Sequence, residues 1–454
     1  MQFAHIFSRR TALAAGAGAM TALCTQFAGV APAYARGRTP LGGRLSLSLP
    51  FALGSLDPHR LDDPAAALLS DALFDTLYAR DDPGNFVPQL AESDPQVDGA
   101  NLRVAVRQGL RTAAGRPLYA GDIMLSLRRS RGAGAKAWLS DIPEPKLVGT
   151  ELVFAIKDAT RLVRALASPL TAIVPRDFSA ESPDGTGPMK LARVPGGIEL
   201  RRNALSARGA AFLDTISVRA VSDLESSLRS FEAGRDDLGW LGSGLHEPRP
   251  GAKSFDAGAV GLAVLYTGTD AGTWDRPGVA QRTCDELMPN RLAHLGLGPA
   301  WTTEPANGWG GAPAALWVRE DCPWLVELAR VIAGTLSRTG HEITIRPGTA
   351  DELHSRRASR SFALLLDVVR PALGGTLGAF TSLIALDDPL QAGNAMKRAP
   401  RGDTALRTLT RTMRSGIVGE LRVVGGRMPD VVLAQSPAGG IDWGASHRAP
   451  RRSP

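Results

Sequence analysis

The residue with the most pointed chemistry is Asp367. It stands alone in the apolar run Phe362-Ala363-Leu364-Leu365-Leu366-Asp367-Val368-Val369. An ionised carboxylate in such a run is costly to bury unless a cation neutralises it. Arg370, three residues on, is one available cation. Cations also cluster at Arg128-Arg129-Ser130-Arg131 and at Arg356-Arg357-Ala358-Ser359-Arg360. Such clusters can hold phosphates, but no aromatic side chains interleave with them, so they read as solvated arginines on helix faces and no nucleic-acid partner is expected.

Catalytic patterns are missing. No GxxxxGK[ST] loop cradles a phosphate, and Gly296-Leu297-Gly298-Pro299 lacks the third glycine and the preceding strand of a dinucleotide site. The seven histidines are scattered singly: His246-Glu247 and His341-Glu342 each lie far from a second histidine, so no zinc site is expected. Neither a Gly-x-Ser-x-Gly elbow nor a Ser-x-x-Lys pair supplies a nucleophile. The residues therefore point to a protein that binds something, with no cofactor, no metal and no catalysis of its own.

The chain that must position these groups has 454 residues, enough for two or three structural units. With 44% hydrophobic and 21% charged residues it can fold around a large core without disulfides. The net charge is +7, and 46 of the 52 basic residues are arginine. Gly43–Leu49 alternates as a strand, and the leucines at 68, 69, 73 and 77 mark a helix from Pro64. Strands are expected at 102–106, 151–156, 189–194, 197–201, 215–219, 238–241, 261–267, 341–346, 362–369 and 430–434. Helices are expected at 121–127 (capped by Asp122), 159–166, 224–231, 324–336 and 406–413. Five of the eight tryptophans fall between Thr273 and Trp324, as a cleft wall or as packing for a loop-rich segment. Strands alternate with helices, which gives an α/β or mixed α+β class.

The N-terminus reads as an export signal, either cleaved or retained as a membrane anchor. Arg9-Arg10, the weakly apolar stretch 14–30 and the cleavage pattern Ala33-Tyr34-Ala35 make residues 1–35 a twin-arginine-type signal peptide. Cleavage leaves a mature charge of +5 and removes Cys24. The two remaining cysteines, Cys284 and Cys322, either pair or remain as buried thiols.

An ordered series of motifs carries a resemblance. Leu56-Asp57-Pro58-His59, Leu73-Phe74-Asp75-Thr76-Leu77-Tyr78 and Pro88-Gln89-Leu90-Ala91-Glu92-Ser93 come first. Arg107-Gln108-Gly109-Leu110, Gly115-Arg116-Pro117-Leu118 and Ala120-Gly121-Asp122 follow, then Gly185-Thr186-Gly187-Pro188-Met189-Lys190-Leu191 and Leu200-Arg201-Arg202-Asn203. Over about 43–240 the chain resembles the family-5 extracellular solute-binding proteins, the peptide/nickel class that serves ABC importers. Beyond 262 the resemblance thins, returning at the helix 325–336 and Gly340-His341-Glu342-Ile343.

The resemblance implies a type II-like, two-lobed periplasmic binding protein with an extra subdomain in its first lobe. Lobe one would hold 36–262 and 425–454, with the subdomain at about 65–184; lobe two would hold 263–424. A monomer would close on a peptide-like or other small organic solute and pass it to an ABC permease in the inner membrane. A degenerate receptor or scaffold without transport is the alternative. Asp367 falls about where the family binds an amine. Trp240 and Ser243 lie near the expected crossover, and with Arg370 they complete the expected ligand-binding set.

Overall fold

The computed structural model describes residues 39–81, 84–240, 249–287, 292, 309–399, 405–437 and 439–450. The expected signal peptide, Ser243 and Trp301 lie outside these residues.

The chain opens with β1 (Arg44–Leu49), whose leucines are buried. Helix α1 (Pro64–Leu73) follows, its N-terminus capped by Asp63, which accepts from the Ala66 amide at 3.0 Å. It stops at Leu73 rather than Leu77 because Phe74 turns extended, and the hairpin β2 (Tyr78–Arg80) and β3 (Phe86–Pro88) begins. The subdomain comprises β4 (Gln96–Asp98), β5 (Asn101–Ala105), α2 (Ala120–Gly132), β6 (Lys146–Val148), β7 (Glu151–Phe154) and α3 (Ala159–Leu166). Its four strands run in the order β4-β5-β7-β6. They enclose a separate core that includes Leu102, Ile123, Trp138, Phe154 and Leu166. Asp122 is not the cap of α2: it lies one turn in and accepts the amide of Tyr119, the N-cap, at 2.9 Å.

The chain then returns through β8 (Met189–Val194), β9 (Gly197–Arg202), β10 (Thr215–Ala220), α4 (Leu224–Glu232) and β11 (Leu238–Trp240). Next comes β12 (Lys253–Thr267), far longer than the expected 261–267. Its second half is fully buried and reads as a continuous apolar run, whereas its more exposed first half carries no such run and is held by pairing with β16 and by Phe255 and Ala257 on the core.

The remainder contains α5 (Val279–Asp285), β13 (Ala314–Arg319), α6 (Pro323–Leu336), β14 (Ile343–Gly348), α7 (Ala350–Ser359), β15 (Leu364–Val369), α8 (Thr376–Asp387), α9 (Ala395–Arg398) and α10 (Ala405–Thr410). A second long strand, β16 (Ser415–Arg427), runs back, and the hairpin β17 (Val431–Gln435) and β18 (Ile441–Arg448) ends the described chain. Ten strands form one sheet in the order β14-β13-β15-β12-β16-β11-β1-β10-β9-β8. Among the described residues β12 and β16 join its two halves, pairing antiparallel from Lys253↔Arg427 to Tyr266↔Ser415 through three register shifts. The boundaries expected at 262 and 424 fall inside these crossing strands. The fold is thus a mixed α/β two-lobed structure with the extra subdomain packed on its first half.

Among the described tryptophans after Thr273, Trp274, Trp309 and Trp324 are packing elements. Trp309 and Trp324 are each 1% exposed, and the Trp274 ring lies 5.1 Å from that of Trp309. Both remaining cysteines are free and buried, which decides between the two readings. Burial pushes the Cys322 thiol up to about 12 and the Cys284 thiol well above its ordinary value.

Candidate functional site

The Leu56–His59 motif builds one wall of the cleft between the halves. Asp57 accepts the His59 amide at 3.0 Å, which fixes the turn after β1. Arg129, on α2, forks onto both Asp57 carboxylate oxygens at 3.0 and 2.6 Å. It also donates to Nδ1 of His59 at 2.6 Å, so the other ring nitrogen carries the proton and donates to the Ala172 carbonyl at 2.7 Å. Burial then lowers the His59 pKa to about 4, with the adjacent Arg129 adding to the effect, and the imidazole stays neutral. Gly134 is needed here because its chain passes directly under the His59 carbonyl. A Cβ at that position would lie 2.4 Å from the carbonyl oxygen.

The loop continues into Asp62, which meets the second half of the molecule. Arg357, on α7, donates to Asp62 Oδ2 at 2.6 Å and makes a short contact with Asp367 Oδ2. Arg60 takes the other Asp62 oxygen at 3.0 Å. Asp367 sits mid-strand in β15 at 1% exposure, and its other oxygen accepts the Val368 amide at 2.8 Å. The cation that neutralises it is therefore Arg357, from the cluster expected to be solvated, and not Arg370. Burial penalises both carboxylates. Arg357 and Arg60 overcome that at Asp62, whose pKa falls; at Asp367 burial prevails and the pKa rises. Arg319, at the end of β13, adds a hydrogen bond to the Asp62 carbonyl at 2.6 Å.

Above this floor lies a cavity of about 480 Å³. The first half supplies His59, Arg60, Leu61 and Asp62, and the subdomain supplies Gly132, Ala133, Gly134 and Lys136. The second half supplies Asp351, His354, Arg357 and Ala358 from α7, then Ala385, Leu386 and Pro389 from α8 and the residues after it. Lys136, His354 and Asp351 are exposed at its rim. The arrangement offers a small solute an apolar wall, charges of both signs and closure from two sides.

Of the expected ligand-binding residues, Asp367 and Arg370 are not brought together. Asp367 lies beneath the cleft floor, covered by Arg357. Arg370 follows β15 and lines a different cavity, behind α1. Trp240 ends β11, where it pairs with Gly425 of β16. Ser243 lies outside the described residues. Sequence reasoning missed Arg357 and Asp62, although a lone buried Asp and a nearby cationic cluster were both visible.

Other motifs serve the frame. Asp75 accepts from the Thr186 hydroxyl at 2.7 Å and meets Arg208 Nε at 2.9 Å, tying the end of α1 to the Gly185–Pro188 turn. A side chain at Gly185 would strike the Leu73 carbonyl at 2.1 Å, so only glycine fits that crossing.

No family model matches the chain, and no curated protein matches it. Solved structures do. The periplasmic binding protein DppA from Helicobacter pylori, in complex with peptide STSA, has a TM-score of 0.67 at 14% identity over 90% of this chain and 99% of that one. The PBP AgaA from A. tumefacien R10, in complex with agropinic acid, gives 0.67 at 15% identity, covering 88% and 96%. NikA from Staphylococcus aureus, in complex with Ni(L-His)2, gives 0.64 at 16% identity, covering 89% and 100%. The fold is that of the peptide/nickel-class solute-binding proteins whose motifs the sequence resembles.

Proposed function

We propose that this chain, built on the fold of the two-lobed solute-binding proteins, is an exported receptor that captures a peptide-like or other small organic solute between its lobes. It then delivers that solute to an ABC permease. The observation that carries the reading is the cavity of about 480 Å³ whose walls come from both halves of the sheet, joined among the described residues by β12 and β16. Two crossing strands are the hinge such a trap requires, and ligand contacts on both sides convert binding into closure. The solved relatives are binding proteins, which supports a role without catalysis, and their ligands span a peptide, agropinic acid and a nickel chelate. The double-arginine signal supports export by the twin-arginine route, and the two-lobed fold supports action as a monomer.

In this reading Arg357 is a fixed part of the cleft floor, and Asp367 acts on the ligand through it. Native mass spectrometry of protein purified from its own host should show a co-purifying small molecule. A thermal-shift screen with mixed di- to octapeptides and other organic solutes should show saturable stabilisation. Ala385→Trp, which fills the cleft, should remove that stabilisation. No bound mass and no shift with any pool would leave the receptor or scaffold reading in its place. Arg9→Lys with Arg10→Lys should hold the precursor in the cytoplasm, and undiminished export would reject the twin-arginine route.

A further inference from the structure

Behind α1, on the far side of the Leu61–Asp63 loop from the cleft floor, Arg370 is only 5% exposed. Its guanidinium donates to the Ser70 hydroxyl at 3.0 Å and to the Pro58 carbonyl at 3.4 Å. Both acceptors are neutral. Among the described residues no carboxylate is in ion-pair contact with it, and three of its five N–H donors make no protein hydrogen bond. Burial accordingly lowers its pKa to about 10. Arg208, on the same wall, differs: it holds Asp75 at 2.9 Å and Asp71 at 3.6 Å, so its charge is already matched.

Arg370 stands between a cavity of about 380 Å³ and a smaller one of about 60 Å³. A buried cation with spare donors at the wall of a cavity that size calls for an anion. The remaining walls say which kind. The lining combines apolar Phe74, Pro169 and Ala172 with three carboxylates, Asp71, Asp81 and Asp442, and two further arginines, Arg80 and Arg208. With that many carboxylates beside the cations, a multiply charged anion such as phosphate is disfavoured, while the apolar residues accept a short hydrocarbon group. A planar carboxylate also matches the guanidinium fork.

We propose that the cavity behind α1 is a second binding site, distinct from the interlobe cleft, that takes the carboxylate of a small organic solute on Arg370. An amino group on the solute would face Asp71 and Asp442. This inference does not rest on the transport reading, since the site lies almost wholly within the first half.

The test is isothermal titration and thermal shift on the mature protein with acetate, L-alanine, inorganic phosphate and chloride at matched ionic strength. Acetate or L-alanine should bind saturably, and phosphate and chloride should not. Arg370→Gln should weaken carboxylate binding at least tenfold, with Arg370→Lys intermediate. Ala79→Phe, which narrows the cavity without touching the guanidinium, should also weaken it. Ala385→Trp, in the cleft, should abolish peptide-pool shifts and leave the acetate response in place, so failure of one site is distinguishable from failure of the other. Absence of saturable carboxylate binding to the wild-type protein would overturn the proposal, as would an equal response to chloride or unchanged affinity in Arg370→Gln.

Discussion

Arg357 and Arg370 flank the same strand, β15, and each is 5% exposed, yet their surroundings are opposite. Arg357 lies between two carboxylates, one from each half of the molecule. Arg370 has only a hydroxyl and a carbonyl. A buried guanidinium with two counter-ions is a structural bolt, because removing it strands charges. A buried guanidinium with none is a receptor, because the missing charge can come from outside. Burial and residue type alone do not separate these roles; the partners do.

The sharpest way to break this comparison is Arg357→Ala. It leaves Asp367 buried and unpaired and Asp62 with Arg60 alone, a loss expected to destabilise by about 3–5 kcal/mol in urea unfolding. The combined change Arg357→Met with Asp367→Asn should recover much of that loss, because it removes charges together. If Arg357→Ala unfolds within about 1 kcal/mol of wild type, the pair is not a bolt and Asp367 is free to serve a ligand directly. Asp367→Ala alone should fall between the two.

The same contrast explains what could be read in the sequence. The frame was legible because its motifs are local: Asp57 with His59, and the glycine turn at 185–188, act within a few residues or at a crossing only glycine fits. Their partners were not legible. Arg129 reaches Asp57 and Arg357 reaches Asp62 across long stretches of chain, and nothing in Arg356-Arg357-Ala358-Ser359-Arg360 says that one arginine turns inward. The strand β16 was missed for a related reason. Ser415–Arg427 carries four glycines and no clean alternation, and it becomes a strand because β12 and β11 pair with it. Asp367 was correctly singled out as a carboxylate needing a cation, but the nearer arginine in sequence was the wrong partner.

A second, smaller effect separates the groups by pH. The folded pKa of His59 is lowered from 6.5 to about 4, so the neutral ring contributes stability that is present above pH 6.5 and lost as pH falls toward 4. That shift corresponds to ~3 kcal/mol. Asp63 acts in reverse: burial raises it to about 6, so its contribution is full below its unfolded value near 3.8 and lost as pH rises through 6. The wild-type profile between pH 4 and 6 is therefore flatter than either group alone would make it. His59→Gln removes one side of the balance. Its unfolding free energy, measured against wild type at each pH, should compare most poorly at pH 7 and converge toward pH 4. A constant difference across that range would show that His59 does not titrate with folding.

The smallest expected effect is the most discriminating. Arg370→Gln removes a buried charge that no described carboxylate contacts, Asp71 and Asp63 acting on it only from beyond ion-pair distance, while the new amide can still donate to Ser70 or Pro58. The lost hydrogen bonding and the relieved desolvation oppose each other, so ligand-free stability should change by no more than about 1 kcal/mol and could rise. The contrast with Arg357→Ala, at equal burial, is the measurable content of the comparison. Should Arg370→Gln cost as much as Arg357→Ala, Arg370 would be a second bolt, and the cavity behind α1 would need another anion anchor. Urea melts of the two variants side by side, without ligand and at pH 7, decide between the two.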